Sequence, residues 1–335
     1  MKKNFKYASY LTVLMGLFSG MVSAQQLPQF SQYMQNGYVL NPAASSLETD
    51  VDLNLGFRQQ WAGFDGAPQT YYASGTVNLG KKPAPTGYMY AIPISNPRLM
   101  TNTDMERKAK HVVGGMAAVD EYGLFKRTSV MGSYSYHHPI ADDYYLAVGA
   151  SMGWYGMNFG ASQVNLEDPN DNTYNDFISN GNRSNIFDLN AGLYIYSERA
   201  FMGYSVYQIG RNQINLGNES TPLDLSQARL ELHQFATLGY RFTVSENIDL
   251  TPSMMFKFLN PAPASFDINL KAEYQRKFWL GFSYRNQDAI SLLAGLRIND
   301  FVRFGYAYDY VTSQINDISS GSHELVLGFQ FNRKN

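Results

Sequence analysis

Cysteine is absent from the 335 residues. Its absence excludes disulfides, thiolate zinc sites, thiol nucleophiles and lipid attachment at a mature N-terminal cysteine. Charge is thin as well: charged residues make up 16% of the chain and leave a net charge of −2. So mild a balance offers no electrostatic footprint for a nucleic-acid partner. Past the first two dozen residues, no apolar run approaches the roughly 18 residues that a membrane-crossing helix needs. Catalysis is poorly provided for too. The histidines are His111, His137, His138, His233 and His323. No nucleophile motif surrounds His137 and His138, so they are expected as rim residues, with no enzymatic activity and no cofactor. The run from Asp168 to Asp176 spaces oxygen side chains like a calcium loop. However, Thr173 stands where that loop needs glycine and Ser179 where it needs glutamate, so a solvated loop without metal is expected.

What is present begins with an export signal. Lys2, Lys3 and Lys6 precede the short apolar stretch Leu11 to Phe18, and Val22-Ser23-Ala24 supplies small residues before Gln25. Residues 1–24 are therefore expected to be cleaved as a signal peptide. An exported chain of this size without disulfides needs stabilisation from core packing or from the membrane. Aromatics are abundant, with 25 Tyr and 21 Phe beside 28 Gly. Rich in aromatics and poor in long apolar runs, an exported chain points to a closed transmembrane sheet, because lipid offers no partner to an unpaired backbone amide.

The test of that idea is period-2 alternation, with one face toward lipid and one toward a wet lumen. Val51, Leu53, Leu55 and Phe57 alternate with Asp52, Asn54, Gly56 and Arg58. Phe266, Ile268, Leu270, Ala272 and Tyr274 alternate with Asp267, Asn269, Lys271, Glu273 and Gln275. A soluble sandwich also alternates, but the export signal and the number of strands weigh against it. Fourteen such segments are expected, near 51–61, 69–79, 111–120, 124–137, 143–159, 185–197, 200–209, 231–244, 247–259, 264–275, 277–286, 289–298, 301–312 and 322–332. The predicted fold is an all-β transmembrane antiparallel barrel over 51–335. A short periplasmic or plug segment over 25–50 precedes it. An even strand number puts both termini in the periplasm.

The connections agree. Short turns at 140–142, 197–199, 245–247, 275–277 and 299–300 fall on one side, and the long stretches 160–184, 210–229 and 313–321 fall on the other, as outer-membrane barrels require. Segment 81–110, with four prolines and the basic run Arg107-Lys108-Ala109-Lys110, breaks the rule and is expected to be an insertion or docking loop. Pro252 lies within a predicted strand, where it removes a ladder hydrogen bond, so a bulge or a rim position is expected there.

The inward positions of the second half are charged: Arg241, Lys257, Asp267, Lys271, Glu273, Arg285, Arg297, Arg303, Asp309 and Glu324. Arg285, Arg297 and Arg303 are expected near Asp267, Glu273 and Asp309. They form either a wet wall of opposite-sign ladders or a surface that recognises a peptide or passes solutes.

The stretch Gln29-Phe30-Ser31-Gln32-Tyr33-Met34-Gln35-Asn36-Gly37-Tyr38-Val39-Leu40-Asn41-Pro42-Ala43 is aromatic-rich and too polar to span a membrane. It resembles the signature of the PorP/SprF family of type IX secretion system membrane proteins. Arg58-Gln59-Gln60-Trp61-Ala62-Gly63-Phe64 with Gly66-Ala67-Pro68-Gln69-Thr70, Val113-Gly114-Gly115 with Asp120 and Gly123, and Tyr134-Ser135-Tyr136-His137 extend the resemblance. It implies an outer-membrane component of type IX secretion and gliding. Such a component receives the C-terminal domain of a secreted adhesin, or links the lipid-embedded barrel to periplasmic ring or peptidoglycan-associated proteins. The candidate binding residues are Phe30, Tyr33, Asn41, Pro42, Arg58, Trp61, Arg285, Arg297 and Arg303. A general porin or uptake channel is the alternative.

Overall fold

The computed structural model describes residues 27–45, 49–63, 65–80, 109–141, 143–160, 183–214, 229–259, 262–317 and 319–331. The expected signal peptide, most of the 81–110 insertion and the calcium-like run at 168–179 lie outside the described residues.

Fifteen strand segments follow one another: β1 Val51–Gln59, β2 Gln69–Asn78, β3 Lys110–Tyr122, β4 Phe125–Ala141, β5 Tyr144–Phe159, β6 Arg183–Tyr196, β7 Ala200–Tyr207, β8 His233–Tyr240, β9 Phe242–Ser245, β10 Ile248–Leu259, β11 Ala262–Tyr274, β12 Phe278–Arg285, β13 Ala289–Arg297, β14 Val302–Val311 and β15 Ser322–Phe331. Successive strands pair antiparallel, β8 and β9 excepted, and β15 pairs with β1 from Val51↔Phe331 to Gln59↔His323, so the sheet closes. β8 and β9 are two parts of one stave, both paired with β10 and separated at Arg241. The barrel thus has 14 staves, as the alternation predicts. Closure leaves no unpaired seam in hydrocarbon, which is why such a sheet can cross a membrane.

The two faces separate by chemistry. Leu53, Leu55, Val148, Met152, Leu193, Leu280 and Leu292 project outward and stay exposed. Asn54, Arg58, Ser151, Asn190, Asn269 and Ser291 alternate with them and are buried inside. Outward aromatics gather near the strand ends. Tyr144, Tyr240, Tyr274, Phe278 and Phe331 lie toward one rim, and Tyr71, Tyr284 and Tyr310 toward the other. Aromatic girdles of this kind mark the two bilayer interfaces.

We call the rim where β1 begins and β15 ends proximal, and the opposite rim distal. The turns at 197–199, 246–247, 275–277 and 298–301 are proximal. β5 and β6, β7 and β8, and β14 and β15 are joined at their distal ends, through 160–182, 208–232 and 312–321.

Pro252 behaves differently from expectation. It pairs regularly with Leu270 on the β11 side, so it is neither a bulge nor a rim residue. On the other side, the β10 register runs from Leu250↔Phe242 to Ser253↔Gly239, and the partner stave is interrupted between them. The missing N–H is thus accommodated by a break in the neighbouring strand.

Candidate functional site

Residues 27–45 fill the lumen. Short 3₁₀ turns at Ser31–Met34 and Gly37–Val39 keep the segment compact. Leu27, at the distal end, receives no strand partner; its N–H donates to Nε2 of His233, the first residue of β8, at 3.4 Å. From there the segment descends to Ser45 near the proximal rim. Leu27 thus lies toward the rim opposite Phe331.

The distal half of the segment sits in a belt of buried charge. Arg58 reaches Asp309 at 2.7 Å and Glu324 at 3.2 Å, and all three side chains are almost fully buried. Glu324 also accepts the backbone N–H of Ser31 at 2.6 Å and that of Gln32 at 3.3 Å, while Ser31 Oγ donates to Asp309 at 2.7 Å. Arg285 lies 3.0 Å from Asp288, 3.6 Å from Asp267 and 3.8 Å from Asp309, and donates to Gln29 Oε1 at 3.2 Å. Lys257 completes the belt at 3.0 Å from Asp267. Cross-strand register builds it, because Arg58↔Glu324 and Asp267↔Arg285 are directly opposed pairs. A buried cation needs paired carboxylates and acceptors for its N–H groups; here Ser31 Oγ accepts from Arg58 at 2.8 Å and from Arg285 at 3.2 Å, and the segment's backbone N–H groups satisfy Glu324.

Below the belt the contacts turn neutral. Phe30 packs edge-on against Tyr72 at 5.0 Å, and Phe30, Tyr33, Val39 and Leu40 join Phe235, Met255 and Val326 in one apolar cluster. Tyr33 accepts a hydrogen bond from Asn269 Nδ2 at 2.7 Å. Burial, reinforced by the Asp267 carboxylate, holds its phenol well above the ordinary tyrosine range. Tyr38 is raised likewise by burial, against the opposing hydrogen bond to Ser133. Both rings are therefore neutral pins. Asn41 Nδ2 donates to the Leu193 carbonyl at 3.0 Å, and its Oδ1 accepts the Ala43 N–H at 2.9 Å, closing an Asx turn.

Pro42 and Ala43 seat against the wall where Gly149 and Gly192 face each other across β5 and β6. A Cβ on Gly149 would stand 2.6 Å from Ala43 N and 2.7 Å from Pro42 C, and one on Gly192 would collide with Asn41 Oδ1. The glycine pair is a notch cut for this turn. Ser45 ends the segment in a buried chain, its Oγ 2.5 Å from Ser135 Oγ, which lies 3.0 Å from His137 Nε2; His137 Nδ1 is 2.9 Å from the Tyr196 hydroxyl. Sequence reasoning placed His137 at a rim but missed this chain. The signal was the alternating Ser135 and His137 on one strand face.

The structure thus brings Phe30, Tyr33, Asn41, Pro42, Arg58 and Arg285 together in the lumen. It leaves three predicted site residues elsewhere. Trp61 lies in the distal β1–β2 turn with φ +49°, its N–H donating to Ser322 Oγ at 3.1 Å. Arg303 sits toward the proximal rim and pairs with Asp52 at 2.9 Å, a carboxylate across the β1–β15 seam that the sequence reading did not select. Arg297 stands directly opposite Arg303 and makes no ion pair among the described residues. Glu273, expected beside an arginine, pairs with Lys271 at 3.1 Å instead. Beneath the segment a cavity opens among Asn36, Asp52, Thr76, Thr251, Lys271 and Arg303.

Comparison with known proteins adds the following. The family of type IX secretion system membrane proteins PorP/SprF matches residues 22–329. No curated protein matches the chain in sequence. Among solved structures, the Ralstonia pickettii toluene transporter TbuX is 9% identical, with 89% of this chain and 93% of that one covered and a TM-score of 0.52. A Pseudomonas aeruginosa FadL homologue is 10% identical over 86% of this chain and 91% of that one, with a TM-score of 0.47. At such identities the likeness to TbuX is one of fold alone.

Proposed function

The chain belongs to the PorP/SprF family of type IX secretion system membrane proteins, and from that premise we propose that this outer-membrane barrel is a binding and assembly component. It receives the C-terminal domain of a secreted surface adhesin and anchors it, or ties the outer membrane to the periplasmic secretion ring and peptidoglycan-associated proteins. In this reading residues 1–24 are removed on export, the proximal rim faces the periplasm and the distal loops face outward. Apart from 79–109 the proximal connections are short, while the distal rim joins strands through 160–182, 208–232 and 312–321 as well as through short turns, in the usual sense for such barrels.

One observation carries the choice of binding over conduction. The lumen is occupied by residues 27–45, held by Glu324, Asp309, Asn269, Ser135 and the Gly149–Gly192 notch. A fourteen-stave barrel is wide enough for a channel or for a plug, and here the chain supplies its own filling.

The test is copurification. Tagged protein extracted from outer membranes in mild detergent is expected to bring down a secreted adhesin or periplasmic ring proteins, and recovery of neither would sink the proposal. The channel alternative predicts steady ohmic conductance in planar bilayers, whereas a filled lumen predicts none.

A further inference from the structure

The proximal mouth carries cations that the structure does not satisfy. Arg241 marks the break between β8 and β9; its side chain is buried, with the residue 6% exposed, and one terminal nitrogen donates to the Glu198 carbonyl. Its Nε and second terminal nitrogen have no hydrogen-bond partner. Arg297 ends β13 on the lumen-facing side and is set directly across from Arg303, a like-charge pairing that destabilises a sheet unless something of opposite sign intervenes. Arg303 is neutralised by Asp52, so the charge left over is that of Arg297.

Arg276 joins these two. It lies in the β11–β12 turn with φ +59°, and the Arg297 N–H donates to the Lys277 carbonyl of that turn at 2.8 Å. Burial lowers the Arg276 pKa, and the Arg241 and Arg297 cations push it further down against the Asp249 and Glu273 carboxylates. Neither carboxylate forms an ion pair with Arg241, Arg276 or Arg297 among the described residues. Glu273 is 3.1 Å from Lys271, and Asp249 accepts the Thr243 hydroxyl at 2.7 Å. A guanidinium nitrogen buried without an acceptor is costly, and a fixed group of them is the usual recognition surface for carboxylates.

From this juxtaposition we infer that Arg241, Arg276 and Arg297 form a docking crescent for an acidic polypeptide segment of a partner, seated at the proximal mouth beneath the cavity. A peptide is favoured over a lipid headgroup because Arg241 and Arg297 belong to the inner face of the wall, which bilayer headgroups do not reach. The inference rests on the binding reading above and deepens it by naming the rim and the chemistry of the partner.

The experiment uses full-length mature protein in detergent, with folding confirmed by heat-modifiable mobility, and fluorescein-labelled hexaglutamate as the probe. Wild-type protein is expected to raise the anisotropy of hexaglutamate but not of hexalysine, with affinity falling as salt rises. The double variant Arg276→Gln/Arg297→Gln is expected to bind at least tenfold more weakly. Lys126→Gln, on the distal hairpin, is expected to bind as wild type does. Equal binding by the double variant, no hexaglutamate binding by wild type, or retention of phosphatidylglycerol vesicles without peptide binding would each overturn the inference. Such a failure leaves the binding reading standing if wild-type protein still copurifies secretion partners. Recovery of no partners, with hexaglutamate bound as predicted, would sink that reading and leave the crescent.

Discussion

The two ends of the lumen hold similar residues in opposite states. At the distal end Arg58, Arg285 and Lys257 each have a carboxylate within 3.0 Å, and the N-terminal segment adds the Ser31 hydroxyl to Asp309 and two backbone N–H donors to Glu324. At the proximal end Arg241 has two unpartnered nitrogens and Arg297 faces another arginine. The difference separates two uses of buried charge. A belt whose cations are ion-paired by the chain's own carboxylates holds the fold together, and a crescent whose cations have no ion pair among the described residues is available to something else.

That contrast is easiest to break at the distal end. Arg58→Met strands Asp309 and Glu324 in the interior, and the loss of one partner of a buried pair costs about 3–5 kcal/mol. The expected outcome is a large drop in the temperature at which heat-modifiable mobility is lost, together with protease access to residues 27–45. Next comes Gly149→Ala, which pushes a methyl group into the backbone at Pro42 and Ala43; overpacking of this sort costs about 1–3 kcal/mol. Cleavage near Ala43 by added protease would register the displaced turn. Tyr33→Phe removes one neutral hydrogen bond, leaves Asn269 Nδ2 short of an acceptor and is expected to cost about 1 kcal/mol, read as a small shift in the same melting curve. Smallest is Arg297→Gln, which relieves a like-charge pair and is expected to change stability by under about 0.5 kcal/mol in either direction. A collapse of the fold in that variant would show the crescent to be structural and erase the distinction.

How much of this was legible beforehand follows from the range of each interaction. Strands were legible because a wall between lipid and water forces period 2 on every stave, and Phe266 to Gln275 alternate without exception. Arg285 beside Asp267 was legible because the two lie on adjacent strands of one face. Arg303 with Asp52 was not, since those residues meet only across the seam that joins the last strand to the first. The break at Arg241 was hidden too, because Pro252 advertises a missing donor but not which neighbour yields. Nothing local in Gly149 and Gly192 announces a notch. Their spacing becomes meaningful only when the register sets them opposite each other and a separate segment, more than a hundred residues away, presses its turn between them.

The pairing of Ser31 and Gln32 with Glu324 has a consequence for biogenesis. Residues that precede the first strand find their acceptor on the last, and the same last strand must zip to β1 for the cylinder to shut. Occupation of the interior and completion of the wall therefore depend on the same strand. A chain truncated before Glu324 would lose both together, leaving an open ribbon with its leading end adrift.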